Sequence, residues 1–355
     1  MEPVKKVEVV KKVLIVDDSA YVRKTLKEIL SRSPFLEVVG TARDGEEALR
    51  LVRELKPDVV TVDLIMPGMD GAEFTRQVMA ATPVPVVVVS IAAESSERVL
   101  VALDAGAVDF VQKPTALATA KVFEIAEELI AKVKAAADAP IARLRRPTLA
   151  MAGAEPELRS ARAAGGRVDI VVIGISTGGP QALRALIPRL AVDFPVPVAI
   201  VLHMPVGFTD LYAKRLAEES ALAVSEARQG DPVRAGTVLI APAGQHLTFA
   251  RNGDGAVQAR LEQRPLDTPH RPSVDVLFRS AASVYGERVL GVVMTGMGTD
   301  GREGAAWIKA AGGAILTESE ETCVVYGMPR SVVEAGLSDA SVTLDRMARS
   351  ILERL

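Results

Sequence analysis

Two sets of residues in this chain have the types and the spacing to do chemistry. The first is built around one serine. Residues 174–178 read G-I-S-T-G. They satisfy the G-x-S-x-G pattern of a nucleophile elbow, in which a strand turns sharply into a helix and presents a serine hydroxyl. Gly174 and Gly178 are expected to let the chain turn without a Cβ clash, and Pro180 suits the first helical turn. A Gly-rich phosphate loop or a plain turn would use the same residues. Ser176 needs a base to attack a carbonyl, and the chain has three histidines, His203, His246 and His270. His203 closes the apolar run "VPVAIVLH", at a strand's carboxyl end. His246 follows a turn in "PAGQHLTF", and His270 lies in the Pro-rich "TPHRPSVD". Either could bind substrate or only hydrogen-bond within its loop. Asp300 follows another strand in "MTGMGTDG". A carboxylate there can fix a histidine tautomer and stabilise the imidazolium formed on attack. Met297, in the same loop, can bring its backbone N–H close to the reacting centre.

The second set sits at the ends of four strand-like runs. Asp17 and Asp18 follow "KVLIV", Asp63 ends "DVVTVD", Ser90 ends "VPVVVVS", and Lys113 and Pro114 follow "AVDFVQ". A strand-end Asp can be no more than a helix cap. Three carboxylates on one rim, however, repel one another unless a cation joins them, and hard oxygen ligands suit Mg²⁺. With a lysine ammonium and a hydroxyl beside them, they could stabilise a phosphoryl group passed to a carboxylate.

The loop at Gly296, Gly298 and Gly301 also matches G-x-G-x-x-G, the dinucleotide fingerprint, and Glu318 falls near the ribose position. Asp300 speaks against it, because a carboxylate at that helix start would repel a pyrophosphate. Too little chain follows Glu318 to build the rest of such a fold. The glycines are read instead as shaping a tight loop that delivers Asp300.

The elements that must position these residues alternate strand and helix on both sides of an irregular stretch. An α/β protein with two doubly wound parallel-sheet domains is expected: residues 12–135, a linker over 136–167 rich in Ala, Arg, Pro and Gly, and residues 168–355. Residues 237–262 suggest shorter strands and a hairpin turning at "RNGDG". A chain of 355 residues, 49 % of them hydrophobic, can bury two cores. A net charge of −3 favours neither nucleic acid nor an anionic membrane. The single cysteine, Cys323, leaves no internal disulfide and no cysteine metal cluster. With no signal-type h-region and no spanning apolar run, a soluble cytoplasmic protein is expected.

"LIVDDSAYVRKTL", "VDLIMPGMDG", "VVVVS" and "DFVQKP" together resemble a response-regulator receiver domain, flavodoxin-like in fold. The resemblance implies that Asp63 accepts a phosphoryl group from a histidine kinase. It implies that Asp17, Asp18 and Asp63 hold Mg²⁺ with the Ile65 carbonyl, and that Ser90 and Lys113 contact the phosphoryl group. Phe110 matches the switch aromatic, often Tyr, and lacks its hydroxyl; it could equally be core.

"GISTGGP", "LHMP", "PAGQHL", "RPSVDVLFRSAA" and "TGMGTDGREGA" resemble the catalytic domain of the chemotaxis protein-glutamate methylesterase family, Rossmann-like in fold. That implies a triad of Ser176, His203 and Asp300, Met297 at the oxyanion hole and Thr177 next to the nucleophile. No cofactor is implied for this half. The implied substrates are glutamate methyl esters, and in some members glutamine amides, on chemoreceptor helices. The order Ser, His, Asp departs from the Ser, Asp, His of ordinary α/β-hydrolases. Two rival readings are a receiver-controlled scaffold without turnover and a nucleotide-dependent oxidoreductase.

Overall fold

The computed structural model of the chain describes residues 9–113, 125–140 and 168–355, apart from the side chains of 92–96. The chain divides into two compact units, Met1–Arg145 and Arg146–Leu355.

The first unit holds strands β1 (Lys11–Val16), β2 (Leu36–Ala42), β3 (Val59–Val62), β4 (Val86–Ile91) and β5 (Asp109–Lys113). They form one sheet in the order β2-β1-β3-β4-β5, parallel throughout. Helices α1 (Ala20–Leu30), α2 (Gly45–Leu55), α3 (Gly71–Ala81), α4 (Ala92–Asp104) and α5 (Ala126–Ala137) connect and cover it. β3 and β4 are Val-rich and buried on both faces, as strands covered by helices must be. Ser19, Asp44 and Asp70 cap α1, α2 and α3 through their side chains. The register pairs Val16 with Val62, so Asp17 and Asp63 come next on neighbouring strands. The chain reverses between β1 and β3, where a doubly wound sheet opens its crevice. The expected linker falls largely outside the described residues; α5 ends at Ala137, two residues into it.

The second unit is built on β6 (Ile170–Ile175), β7 (Val198–Leu202), β8 (Ala223–Glu226), β9 (Thr237–Ile240), β12 (Val289–Val293), β13 (Ala314–Glu318) and β14 (Ala340–Val342). Their order is β14-β13-β12-β6-β7-β9-β8, again parallel. The helices are α6 (Gly179–Leu186), α7 (Thr209–Glu218), α8 (Val274–Tyr285), α9 (Arg302–Ala310), α10 (Met328–Glu334) and α11 (Leu344–Leu352). β10 (His246–Arg251) and β11 (Val257–Glu262) form the expected antiparallel hairpin, while β9 joins the main sheet. One buried core runs from Ile170 and Val172 on β6 through Val201, Leu247 and Phe278 to Ile308 and Ile315. The central strands β12, β6 and β7 end side by side. Ile175 pairs with Leu202 and Gly174 with Val293, so the residues just past their ends share one rim, about 4.8 Å apart strand to strand.

Candidate active site

Ser176 comes directly after β6 and is half-buried. Its N–H donates to the Thr295 carbonyl, 3.0 Å away. Gly178, in the left-handed region at φ +78°, turns the chain into α6, with Pro180 in the first turn. Gly174 has a different reason from the one its motif suggests. It lies inside β6, and a Cβ there would stand 2.2 Å from Val274 Cγ1. Its lack of a side chain lets the start of α8 press onto the strand, and the sharp turn is left to Gly178.

His203 comes directly after β7 on the same rim. Its Nε2–H donates to Asp300 Oδ2 over 2.9 Å. His203 Nδ1 is buried and has no hydrogen-bond partner among the described residues. Asp300, 8 % exposed, also accepts from the Val274 N–H at 2.8 Å, the Ser273 hydroxyl at 2.9 Å and the Asp275 N–H at 2.9 Å. Three of its four donors thus belong to the N-cap and first turn of α8, where the helix dipole favours an anion. Burial alone would raise the Asp300 carboxyl. The His203 hydrogen bond and charge, with the Asp275 and Val274 N–H groups, outweigh it and hold the group well below the usual carboxylate range. Asp300 therefore stays an anion while it orients the imidazole.

The G-x-G-x-x-G match resolves physically here. The N-terminus of α9, which a pyrophosphate would need, is filled by the Asp275 carboxylate. Asp275 Oδ1 accepts from the Gly301 N–H at 2.9 Å and the Gly304 N–H at 2.7 Å. Glu318 does not face a ribose position. It is fully buried, and Oε2 accepts the Thr295 N–H at 2.9 Å while Oε1 accepts the Thr322 hydroxyl at 3.0 Å. Thr295 in turn donates its hydroxyl to the Thr177 carbonyl at 2.9 Å. Thr177 is buried behind the nucleophile, and Met297 is half-buried at the loop's tip. Gly296 is needed for close approach, since a Cβ there would lie 2.8 Å from Ser176 Cβ.

The other two histidines separate. The His270 ring stacks on that of His203, with centroids 4.0 Å apart and planes at 23°. His246 is fully buried. Its Nε2–H donates to the Pro265 carbonyl at 3.1 Å and its Nδ1 accepts the Ser273 N–H at 3.2 Å, which sets a neutral tautomer. Sequence reasoning missed Ser273 and Asp275. The signal was present in the "PSVD" ahead of a helical pattern, an N-cap signature.

In the first unit Asp17, Asp18, Asp63 and Lys113 converge. Lys113, the last residue of β5, reaches Asp17 Oδ2 at 2.5 Å and Asp63 Oδ2 at 2.6 Å. Asp17, Asp18 and Asp63 bring carboxylate oxygens within 4.8 Å of one another. Burial raises the Asp17 carboxyl against the pull of Lys113. Ser90 Oγ is buried without a hydrogen-bond partner among the described residues. Ile65 is 40 % exposed beside Asp63, and Phe110 is buried in β5. Arg23, which no motif singled out, donates to the carbonyls of Asp17 at 2.7 Å and Asp18 at 3.0 Å and so pins the acidic loop. Pro114 lies outside the described residues, and Cys323 is buried with its thiol toward the Glu318 carbonyl.

Fold and geometry together define a class: a receiver-type module and a parallel α/β domain with a serine, a histidine and a carboxylate at its central crevice, in one chain. The sequence model of the response regulator receiver domain matches residues 13–122, and that of the CheB methylesterase matches residues 171–351. The chain is 52 % identical over 338 residues to protein-glutamate methylesterase/protein-glutamine glutaminase 5 of Myxococcus xanthus, covering 95 % of each. It is 46 % identical over 351 residues to protein-glutamate methylesterase/protein-glutamine glutaminase of Symbiobacterium thermophilum, covering 96 % of each. The crystal structure of the Thermotoga maritima CheB methylesterase catalytic domain superposes with a TM-score of 0.52 at 41 % identity, over 53 % of this chain and 99 % of that one. The chain belongs to the CheB methylesterase family.

Proposed function

We propose that this protein is a phosphorylation-activated serine esterase that hydrolyses glutamate methyl esters on chemoreceptors in chemotaxis adaptation. We assign residues 12–135 to the receiver, 136–167 to a linker and 168–355 to the esterase. The observation that carries the reading is the His203–Asp300 pair, with His203 Nδ1, unpartnered among the described residues, on the rim that also carries Ser176. Ser176 Oγ attacks the ester carbonyl. Because Nε2 is committed to Asp300, Nδ1 of His203 takes the serine proton. The Met297 N–H stabilises the oxyanion, with Thr177 holding the strand-to-helix turn. The tetrahedral intermediate collapses to an acyl-enzyme, and methanol leaves with the proton from His203. Water then attacks, His203 again takes a proton, and the receptor carboxylate departs as Ser176 regains its hydrogen. With a glutamine amide the same steps release ammonia, in keeping with the double name of the relatives.

The acidic site fits a hard cation by its oxygen donors, and the Ser90 hydroxyl at the end of β4, unpartnered among the described residues, fits a phosphoryl oxygen. Asp17, Asp18 and Asp63, with the Ile65 carbonyl, would hold Mg²⁺, which neutralises phosphoryl charge when bound. Asp63 accepts the phosphoryl group from a histidine kinase, and Lys113 and Ser90 contact it. Phe110, lacking a hydroxyl, takes part in any switch without a side-chain hydroxyl hydrogen bond, and Lys132 Nζ stands 5.6 Å from its ring centroid. No described helix is long and apolar enough to cross a membrane, and a cytoplasmic location suits both partners.

The test is methanol release from membranes carrying methylated receptors. Ser176→Ala is expected to reduce it on the order of 10⁶-fold while leaving phosphorylation of Asp63 intact. Turnover retained in that variant would remove the nucleophile assignment.

A further inference from the structure

α8 and α9 exchange carboxylates across their N-termini. Asp300, just ahead of α9, takes the Val274 and Asp275 N–H groups of α8. Asp275, in the first turn of α8, takes the Gly301 and Gly304 N–H groups of α9. The residues around this exchange are as small as it needs. A Cβ on Gly304 would meet Asp275 Cα at 2.9 Å and Phe278 Cβ at 2.5 Å, and one on Gly301 would meet Val274 Cγ1 at 3.0 Å. Gly301 is also in the left-handed region, at φ +99°. The exchange ties the Asp300–Gly301 peptide, through the Gly301 N–H, to the first turn of α8.

We infer that Asp275 is a positioning residue for the catalytic carboxylate, acting by gripping the backbone on the C-terminal side of Asp300 while its own N–H orients the Asp300 side chain. This rests on the reading of Asp300 as the partner of His203 in ester hydrolysis. The grip is a matter of acceptor geometry. One oxygen, Oδ1, receives both N–H groups, so an amide oxygen at the same place can replace it, whereas a methyl group cannot. Burial and the neighbouring Asp300 charge, opposed by the Gly304 N–H, push the Asp275 carboxyl up to about 7, which fits a group whose acceptor oxygen matters more than its charge.

The experiment compares the full chain with Asp275→Ala and Asp275→Asn. Methanol release gives kcat and KM, thermal melting reports the fold, and proton NMR reads the low-field imidazole N–H that His203 donates to Asp300. In Asp275→Ala, kcat should fall about 10²-fold, the scale of a small misplacement, with KM unchanged, and the low-field resonance should broaden or move. In Asp275→Asn, kcat should stay within about tenfold of the parent and the resonance should remain in place, since the amide oxygen keeps the acceptor. A parent-like kcat and resonance in folded Asp275→Ala would overturn the inference. So would a loss in folded Asp275→Asn as large as that expected for alanine, even where the alanine variant does not fold. The resonance answers the question even if the parent releases no methanol, which would instead count against the esterase reading.

Discussion

Protonation of His246 would break the hydrogen bond that its Nδ1 accepts from the Ser273 N–H, the residue whose hydroxyl bonds Asp300. Burial lowers this imidazole below its ordinary 6.5. In the unfolded chain it takes a proton near 6.5, but in the folded chain only at lower pH. Between those values the unfolded chain binds more protons, so the contribution of His246 to stability is complete above about pH 6.5 and declines as the pH falls toward the folded value, by at most about 1.4 kcal/mol per pH unit. His246→Gln, which does not titrate, should lose this part of the acid slope when unfolding midpoints are compared from pH 7.5 down to about 5.5. Parallel slopes in parent and variant would mean that His246 is not the titrating group. This role could not be read from the sequence. "PAGQHLTF" places a histidine at the start of a strand, but the fold decides which loop passes its Nδ1. The strand-end residues Ser176, His203 and Asp300 were legible because a parallel sheet gathers the loops at the carboxyl ends of its central strands into one crevice.

Helix α8 carries more of the site than its sequence pattern announces. The apolar periodicity of "SVDVLFRSAASVY" foretold the helix, whereas its use as an N-terminus for a carboxylate well over twenty residues further along depends on packing between non-adjacent elements. Gly174 shows the same limit. The elbow pattern assigns it to a turn, yet its missing Cβ makes room for Val274. Gly174→Ala should therefore act in two ways. Overpacking against Val274 should cost about 1–3 kcal/mol of stability. Displacement of the Val274 N–H, which bonds Asp300 Oδ2 at 2.8 Å, should lower kcat about 10²-fold in protein that is still folded. Urea unfolding and methanol release at a temperature well below the melting point separate the two effects. A destabilised variant with parental kcat would show that β6 and α8 can relax without moving the carboxylate. The edge strands β8 and β14 and the seven-residue helix α10 escaped the sequence reading for a simpler reason. They are short, and β8 and β14 alternate between half-buried and exposed residues, which leaves little apolar signal.

At the scale of the whole chain, the two sites share a polypeptide but, in the proposed reading, no chemistry: one would handle phosphoryl groups, the other acyl groups. Coupling between them requires that phosphorylation of Asp63 change the access to, or arrangement of, the esterase rim. One way for phosphorylation to activate is that the unphosphorylated receiver restrains the second unit. Methanol release by the full chain should then rise when a small phosphodonor and Mg²⁺ are added, and Asp63→Ala should remove that rise while keeping the basal rate. Asp63→Ala leaves the Lys113 ammonium with Asp17 as its remaining carboxylate partner of the two, so its basal rate should be checked against a melting curve before the lost response is read as lost phosphorylation. A chain that begins at residue 168 discriminates further. If the receiver covers the rim, this chain should release methanol faster than the unphosphorylated full-length protein and should ignore the phosphodonor. If it is no faster, yet the full chain still responds, the phosphorylated receiver must activate the esterase by a contact of its own, and removing the receiver would cost activity instead of restoring it.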